Sequence, residues 1–338
     1  MIKTTNFLIF FLFIIGLIDP AFGKSNNLTV GGYLNSAIGV YYDSLSNNLS
    51  SDYPIYGSIY LNYKKSIMEV HGELNYRKWN YNESIGIGDL YIKGGDASSC
   101  MMIGNFLENW GIGKSVNSLM AFSRHDDSYP ENIFYDKKFL TSPALKMAFS
   151  KDSLTQELIL SSGDFTGDVN QNLFGFKSTV INDNSSISAG VIRRIGFPPP
   201  NYFIQLKTSE EGIDEWVEVG WVYSKESKDE WSALLGVEKT LGSSEVAIEL
   251  IFEKAHSLFF TTSNLYMKNN VLFNLSFYLS FNDWSSAWNG GFKFLINRYF
   301  TMEIGGFLFL GKTGKYFSPE AKSMDNNDNL YLKLCFKA

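Results

Sequence analysis

Charged side chains are the residues of this chain that both carry chemistry and recur in a pattern. The stretch from Leu107 to Thr141 holds Glu108, Lys114, Arg124, Asp126, Asp127 and Glu131. Segments that read as extended strands hold Arg77, Lys93, Lys146, Arg193, Arg194, Lys207, Glu245 and Glu249. Groups of both signs, spread in this way, act through their field rather than through bond making. Where low-dielectric walls confine water, that field is focused on whatever ion passes. Arg193 and Arg194 are adjacent in an extended segment, so only one of them points inward. Asp126 and Asp127 are expected to face cations such as Arg77 or Lys207 on the extended segments.

Covalent catalysis finds little support. Histidine occurs at positions 71, 125 and 256 only. His125-Asp126-Asp127-Ser128 supplies a base, acids and a nucleophile, but four consecutive residues cannot converge on one reacting atom, and a triad is a matter of geometry. A hydrolase is therefore disfavoured for want of candidate bases. Cys100 and Cys335 form no CxxC and no His/Cys cluster, which argues against a metal site and leaves two ordinary strand residues. No cofactor motif is present. The formal charge of −6 and pI near 5.3 give no footprint for nucleic acid.

The elements that hold these charges are strands. In Ser66-Ile-Met-Glu-Val-His-Gly-Glu-Leu-Asn-Tyr-Arg-Lys-Trp79, Val70, Gly72, Leu74 and Tyr76 share one side of an extended chain, while His71, Glu73, Asn75 and Arg77 share the other. The two-faced pattern repeats over 27–43, 53–64, 66–79, 86–94, 99–106, 142–150, 153–162, 172–181 and 185–195. It continues over 201–208, 214–224, 229–239, 244–254, 257–267, 270–281, 286–297, 299–310 and 327–337. That makes about 18 strands. A count of 16 stays open if one hairpin is merged, because the links 225–228 and 255–256 are short for their side. An even count lets both ends of an antiparallel transmembrane β-barrel lie on the periplasmic side, with short turns there and longer outward loops.

Composition fits that reading. Aromatics make up 16% of the chain, with Tyr41, Tyr42, Trp79, Tyr223, Trp231, Tyr299 and Phe300 near strand ends, where interface girdles belong. In 244–254, Val246, Ile248, Leu250 and Phe252 oppose Glu245, Glu249 and Glu253. Glutamates buried without partners in a soluble core would cost several kcal/mol each; in a wet lumen they cost little. A β-propeller would repeat every 40 to 50 residues or so, and no such repeat occurs.

The N-terminus reads as an export signal. Lys3 precedes an uninterrupted apolar run from Phe7 to Ile18, then Pro20 and the small residues Ala21 and Gly23. Cleavage is expected after Gly23, leaving 24–338 as one outer-membrane barrel domain. The 12-residue apolar run is shorter than the roughly 20 residues a spanning helix needs.

At the fifth strand the chain resembles the general porins of Gram-negative-type bacteria. Gly104-Asn-Phe-Leu-Glu-Asn-Trp110-Gly111 is similar to a Gly-x-x-x-x-x-Trp-Gly signature followed by a loop, seen in several porin-like families. The resemblance implies a third outward loop that folds into the barrel and narrows it. It also implies passive passage of ions and small polar solutes across the lipid bilayer of the outer membrane, often in a homo-trimer. An adhesin or structural barrel with ligand-binding outward loops is the alternative. The link from Leu107 to Thr141, well beyond ordinary loop length, is expected to carry the constriction, with Leu119, Met120, Phe122 and Phe134 against the inner wall.

Overall fold

The computed structural model describes residues 27–43, 48–79, 82–106, 108, 110–112, 124–125, 139–140, 142–162, 172–195, 200–222, 230–253, 257–267, 270–311 and 329–337. The export signal at 1–23, Asp126 and Asp127 lie outside the described residues, as do Leu119, Met120, Phe122 and Phe134.

Every described element is a strand. In chain order they are β1 (Leu28–Asp43), β2 (Asn48–Asp52), β3 (Ile55–Lys65), β4 (Met68–Trp79), β5 (Asn82–Gly95), β6 (Ser99–Phe106), β7 (Arg124–His125) and β8 (Phe139–Leu140). Then come β9 (Ser142–Lys151), β10 (Leu154–Ser161), β11 (Leu173–Asn182), β12 (Ser185–Arg194), β13 (Asn201–Glu210), β14 (Ile213–Val222) and β15 (Glu230–Leu241). The last six are β16 (Ser244–Glu253), β17 (Ser257–Met267), β18 (Val271–Ser280), β19 (Ser286–Asn297), β20 (Phe300–Leu310) and β21 (Asn329–Lys337).

Eighteen of these close one antiparallel barrel. Each pairs with its sequence neighbour, β6 pairs with β9 across the long link, and β1 seals against β21 from Tyr33↔Lys337 to Tyr41↔Asn329. The expected count of 18 is thus borne out, and the 16-strand option falls away. The remaining three strands are short: β7 and β8 pair only with each other, and β2 pairs with the end of β1. The link between the first two expected strands is therefore partly strand itself. Pro54, which has no N–H to give a ladder, separates β2 from β3 while its carbonyl accepts from the Ala37 N–H at 3.0 Å.

Turns and loops alternate as the strand reading requires. Links at 66–67, 152–153, 183–184, 211–212 and 242–243 have two residues each, all on the side of the termini. Glu211 and Gly212 both have positive φ, 49° and 76°, the conformation that matches strand twist in a two-residue hairpin.

Directly opposed residues of an antiparallel pair share a face, so the ladders assign the strand side chains to the inside or the outside. Outward go Ile87, Ile103, Ile187, Ile204, Val219, Leu235, Ile248 and Ile304, all exposed. Large aliphatic residues standing open on the outer face suit hydrocarbon. Tyr202, Trp221 and Trp231 are opposed in turn on β13, β14 and β15 and form an outward row near the loop-side ends. Inward go Asn75, Glu157, Lys177, Gln205, Glu218, Asn274 and Glu303.

Candidate functional site

The inner wall is most elaborate on β9 to β17, where the start of the long link lies against it. The link leaves β6 just after Gly104, whose φ is 144°; a Cβ there would sit 2.1 Å from the Leu90 carbonyl oxygen. Glycine is needed at that approach. Six residues on, Trp110 is 2% exposed and packs among Ile159, Leu173, Ile192 and Phe203, all inward members of β10 to β13 by their pairings. Phe203 tilts against the indole at 5.8 Å between centroids, and the Lys177 ammonium stands 5.2 Å from the indole centre, a cation–π distance. Ile112 packs on the next cluster, Trp216, Leu234, Ala247, Ile251 and Leu258.

Polar groups fix this docking. The Trp110 indole N–H donates to Glu108 Oε1 at 3.1 Å, and the Trp110 carbonyl accepts from the Gln205 amide. Gln205 also donates to Glu218 Oε2 at 3.0 Å, which accepts the Ile112 N–H at 3.0 Å. Glu108 binds Lys146 at 2.7 Å, Lys146 binds Glu157 at 2.7 Å, and Glu157 binds Lys177 at 2.7 Å. Two lysines and two carboxylates thus form one chain from the link across β9, β10 and β11. Alternating sign keeps the chain neutral, and each interior charge has the partner that burial demands.

The expected wall charges divide into several groups. Arg77 faces inward with its guanidinium 5.7 Å from the Tyr56 ring centre. Lys93 faces inward and is exposed, opposite Glu69. Lys207 pairs with Asp214 at 3.2 Å and Glu245 is exposed near the turn side. Glu249 faces inward but is 0% exposed, accepting the Trp216 indole N–H at 3.0 Å; it is wall structure and does not meet lumen water. Arg193 needs correction. It opposes Phe174, an exposed outward residue, whereas Arg194 opposes Leu173 on the inner side. Only one of the two points inward, as alternation requires, and it is Arg194.

Sequence reasoning missed Gln205 and Glu218 as holders of the link. Both lie on the same face as Lys207 and Trp216, but which inward residues meet a segment about 95 positions away along the chain follows only from closure of the barrel. Cys100 and Cys335 are both free thiols. Their strands β6 and β21 lie apart on the wall.

A further group stands on β4 and β5. The ligand atoms of His71, Glu73 and Asp89 lie within 4.8 Å of one another, and all three side chains face inward. Spacing along the chain points to no metal-capable cluster; strand pairing assembles one.

No protein-family model and no curated protein matches this sequence. Solved structures do match. Pseudomonas aeruginosa OccK2 (OpdF), solved with glucuronate, aligns at a TM-score of 0.67 and 8% identity over 92% of this chain and 98% of that one. Pseudomonas aeruginosa OccK5 (OpdH) aligns at 0.62 and 8% over 93% and 98%. A mutant of the Rh. blastica porin aligns at 0.50 and 9% over 92% and 100%. With nearly the whole length of each chain covered and the ladder closed on itself, this chain has the fold of a porin-like β-barrel, built from 18 antiparallel strands.

Proposed function

We propose that the chain is exported with loss of residues 1–23 and inserts into the outer membrane of a Gram-negative-type bacterium. There residues 24–338 act as a passive channel for ions and small polar solutes, without catalysis. The observation that carries this reading is the division of faces: an apolar band outside, and Asn, Glu, Lys and Gln inside a closed ring of 18 strands. A ring of that size encloses more than side chains can fill. Water then occupies the remainder, and solutes that water can carry follow it. The OccK2 barrel was solved with glucuronate, a small charged sugar acid, which agrees with this solute class.

The long link narrows the passage. Trp110 and Ile112 bind its start to the inner wall, within the lumen. Single-channel recording in planar bilayers with detergent-refolded protein tests the channel reading. Stepwise, ohmic currents are expected. Silence from protein that migrates as a folded, heat-modifiable species overturns it and leaves an adhesin or structural barrel.

A further inference from the structure

We propose that His71, Glu73 and Asp89 form a binding site for a divalent transition-metal ion of the zinc type on the inner wall. Three strands build it. Glu73 and His71 are alternate residues of β4, with Tyr60 and Asn62 of β3 directly opposite them and Tyr91 of β5 opposite His71. Asp89 arrives through a bulge: between the pairs Gly72↔Leu90 and Leu74↔Ile87, the two residues Gly88 and Asp89 oppose the single Glu73. Ile85 and Ile87 before the bulge, and Leu90 and Ile92 after it, are all exposed on the outer face. The extra residue is what switches the alternation and turns Asp89 inward, the re-aiming role that bulges serve. Gly88 permits the crowding, since a Cβ at that position would lie 2.9 Å from the Glu73 carboxylate and 2.5 Å from the Asn75 amide nitrogen.

Two of the three donors, His71 and Glu73, are held as ligands should be. Tyr60 and Tyr91 stack on the two sides of the His71 ring, at 6.3 and 5.1 Å and both 18° from parallel. Stacking covers the faces of the imidazole and leaves its nitrogens, which coordinate in the ring plane, at the edge. Among the described residues neither nitrogen makes a hydrogen bond. Ser58 Oγ donates to Glu73 Oε1 at 2.7 Å, an outer-sphere bond that fixes a ligating carboxylate. Asn62, on the same face, has a buried amide oxygen with no hydrogen-bond partner. Two carboxylates and an imidazole place donor atoms within 4.8 Å of one another; the two carboxylates repel each other, and a dication between them offsets that repulsion. One nitrogen and two or three oxygens suit zinc-type ions better than calcium or magnesium, which take oxygen ligands alone. Remaining positions are open to water from the lumen.

The site stands independently of the channel reading, because its test measures binding and not current. Metal-free, detergent-folded full-length protein is titrated calorimetrically with zinc chloride, then with calcium and magnesium chloride. One zinc per chain is expected, with calcium and magnesium silent. His71→Ala, Glu73→Gln and Asp89→Asn should each weaken zinc by about a hundredfold, and Ser58→Ala by about tenfold. Variants of the two other histidines, His125→Ala and His256→Ala, should bind as the parent does. Cobalt chloride supplies a readout that needs no variant. Intense visible bands of four- or five-coordinate cobalt that zinc displaces are expected from the unaltered protein. Absence of saturable zinc binding, binding that survives His71→Ala, or cobalt bands no stronger than those of the hydrated ion each overturn the proposal.

Discussion

At the scale of single residues, the interior is governed by a few side chains whose removal has opposite effects on stability and passage. Trp110 fills a cluster of four apolar wall residues and carries hydrogen bonds at its indole and its carbonyl. Trp110→Ala should therefore cost about 3–5 kcal/mol of barrel stability in urea unfolding from detergent, and single-channel conductance should rise as the link loosens. Gly104→Ala acts on the same segment through the backbone. With a φ of 144° and the Leu90 carbonyl oxygen 2.1 Å from where a Cβ would lie, alanine has no relaxed conformation there. A loss of roughly 1–3 kcal/mol is expected, read as a lower urea midpoint. Of these two residues, the Gly-to-Trp spacing was legible in the sequence but its reasons were not. The glycine answers to Leu90 on a neighbouring strand, and the tryptophan to β10 through β13.

At the scale of elements, alternation along each strand was legible and pairing between strands was not. Period-two patterning located all eighteen barrel strands to within a few residues, because one face meets an apolar medium and the other a polar one. It put the start of β5 at 86, where the ladder begins at Asn82, since 82–85 lack a strong contrast between faces. It also passed over the bulge at Gly88 and Asp89, which reads locally as one more polar residue. The long link shows the same limit: its length and charges marked it as unusual, yet its anchoring depends on partners far away in sequence. Deleting residues 115–135 removes the short β7 but leaves Trp110, Ile112 and the eighteen-strand ladder of the barrel in place. That deletion should raise single-channel conductance severalfold while heat-modifiable migration stays unchanged, because barrel strands satisfy their hydrogen bonds among themselves. Unchanged conductance would put the deleted stretch outside the passage.

At the scale of the whole molecule, the choice of solvent on each face is the property on which everything else depends. A closed ladder alone could belong to a water-soluble shell. What separates the two cases is the response to charge on the outward face, where Ile204 is 61% exposed in the middle of β13. If hydrocarbon lies against it, Ile204→Arg costs about 2–4 kcal/mol on refolding into bilayers, the midplane penalty for arginine. If water lies against it, the same change is neutral or helpful, since an exposed isoleucine gives way to a solvated ion. Ser186 on β12 supplies the matched control: it opposes Lys207 on the inner face, so Ser186→Arg meets lumen water in either case, at a cost confined to repulsion from one partly exposed lysine. Refolding yields in lipid vesicles across a urea series should drop for Ile204→Arg and hold for Ser186→Arg. Equal behaviour of the two variants would mean that both faces see water, and the assignment of the outer band to a membrane would fail with it.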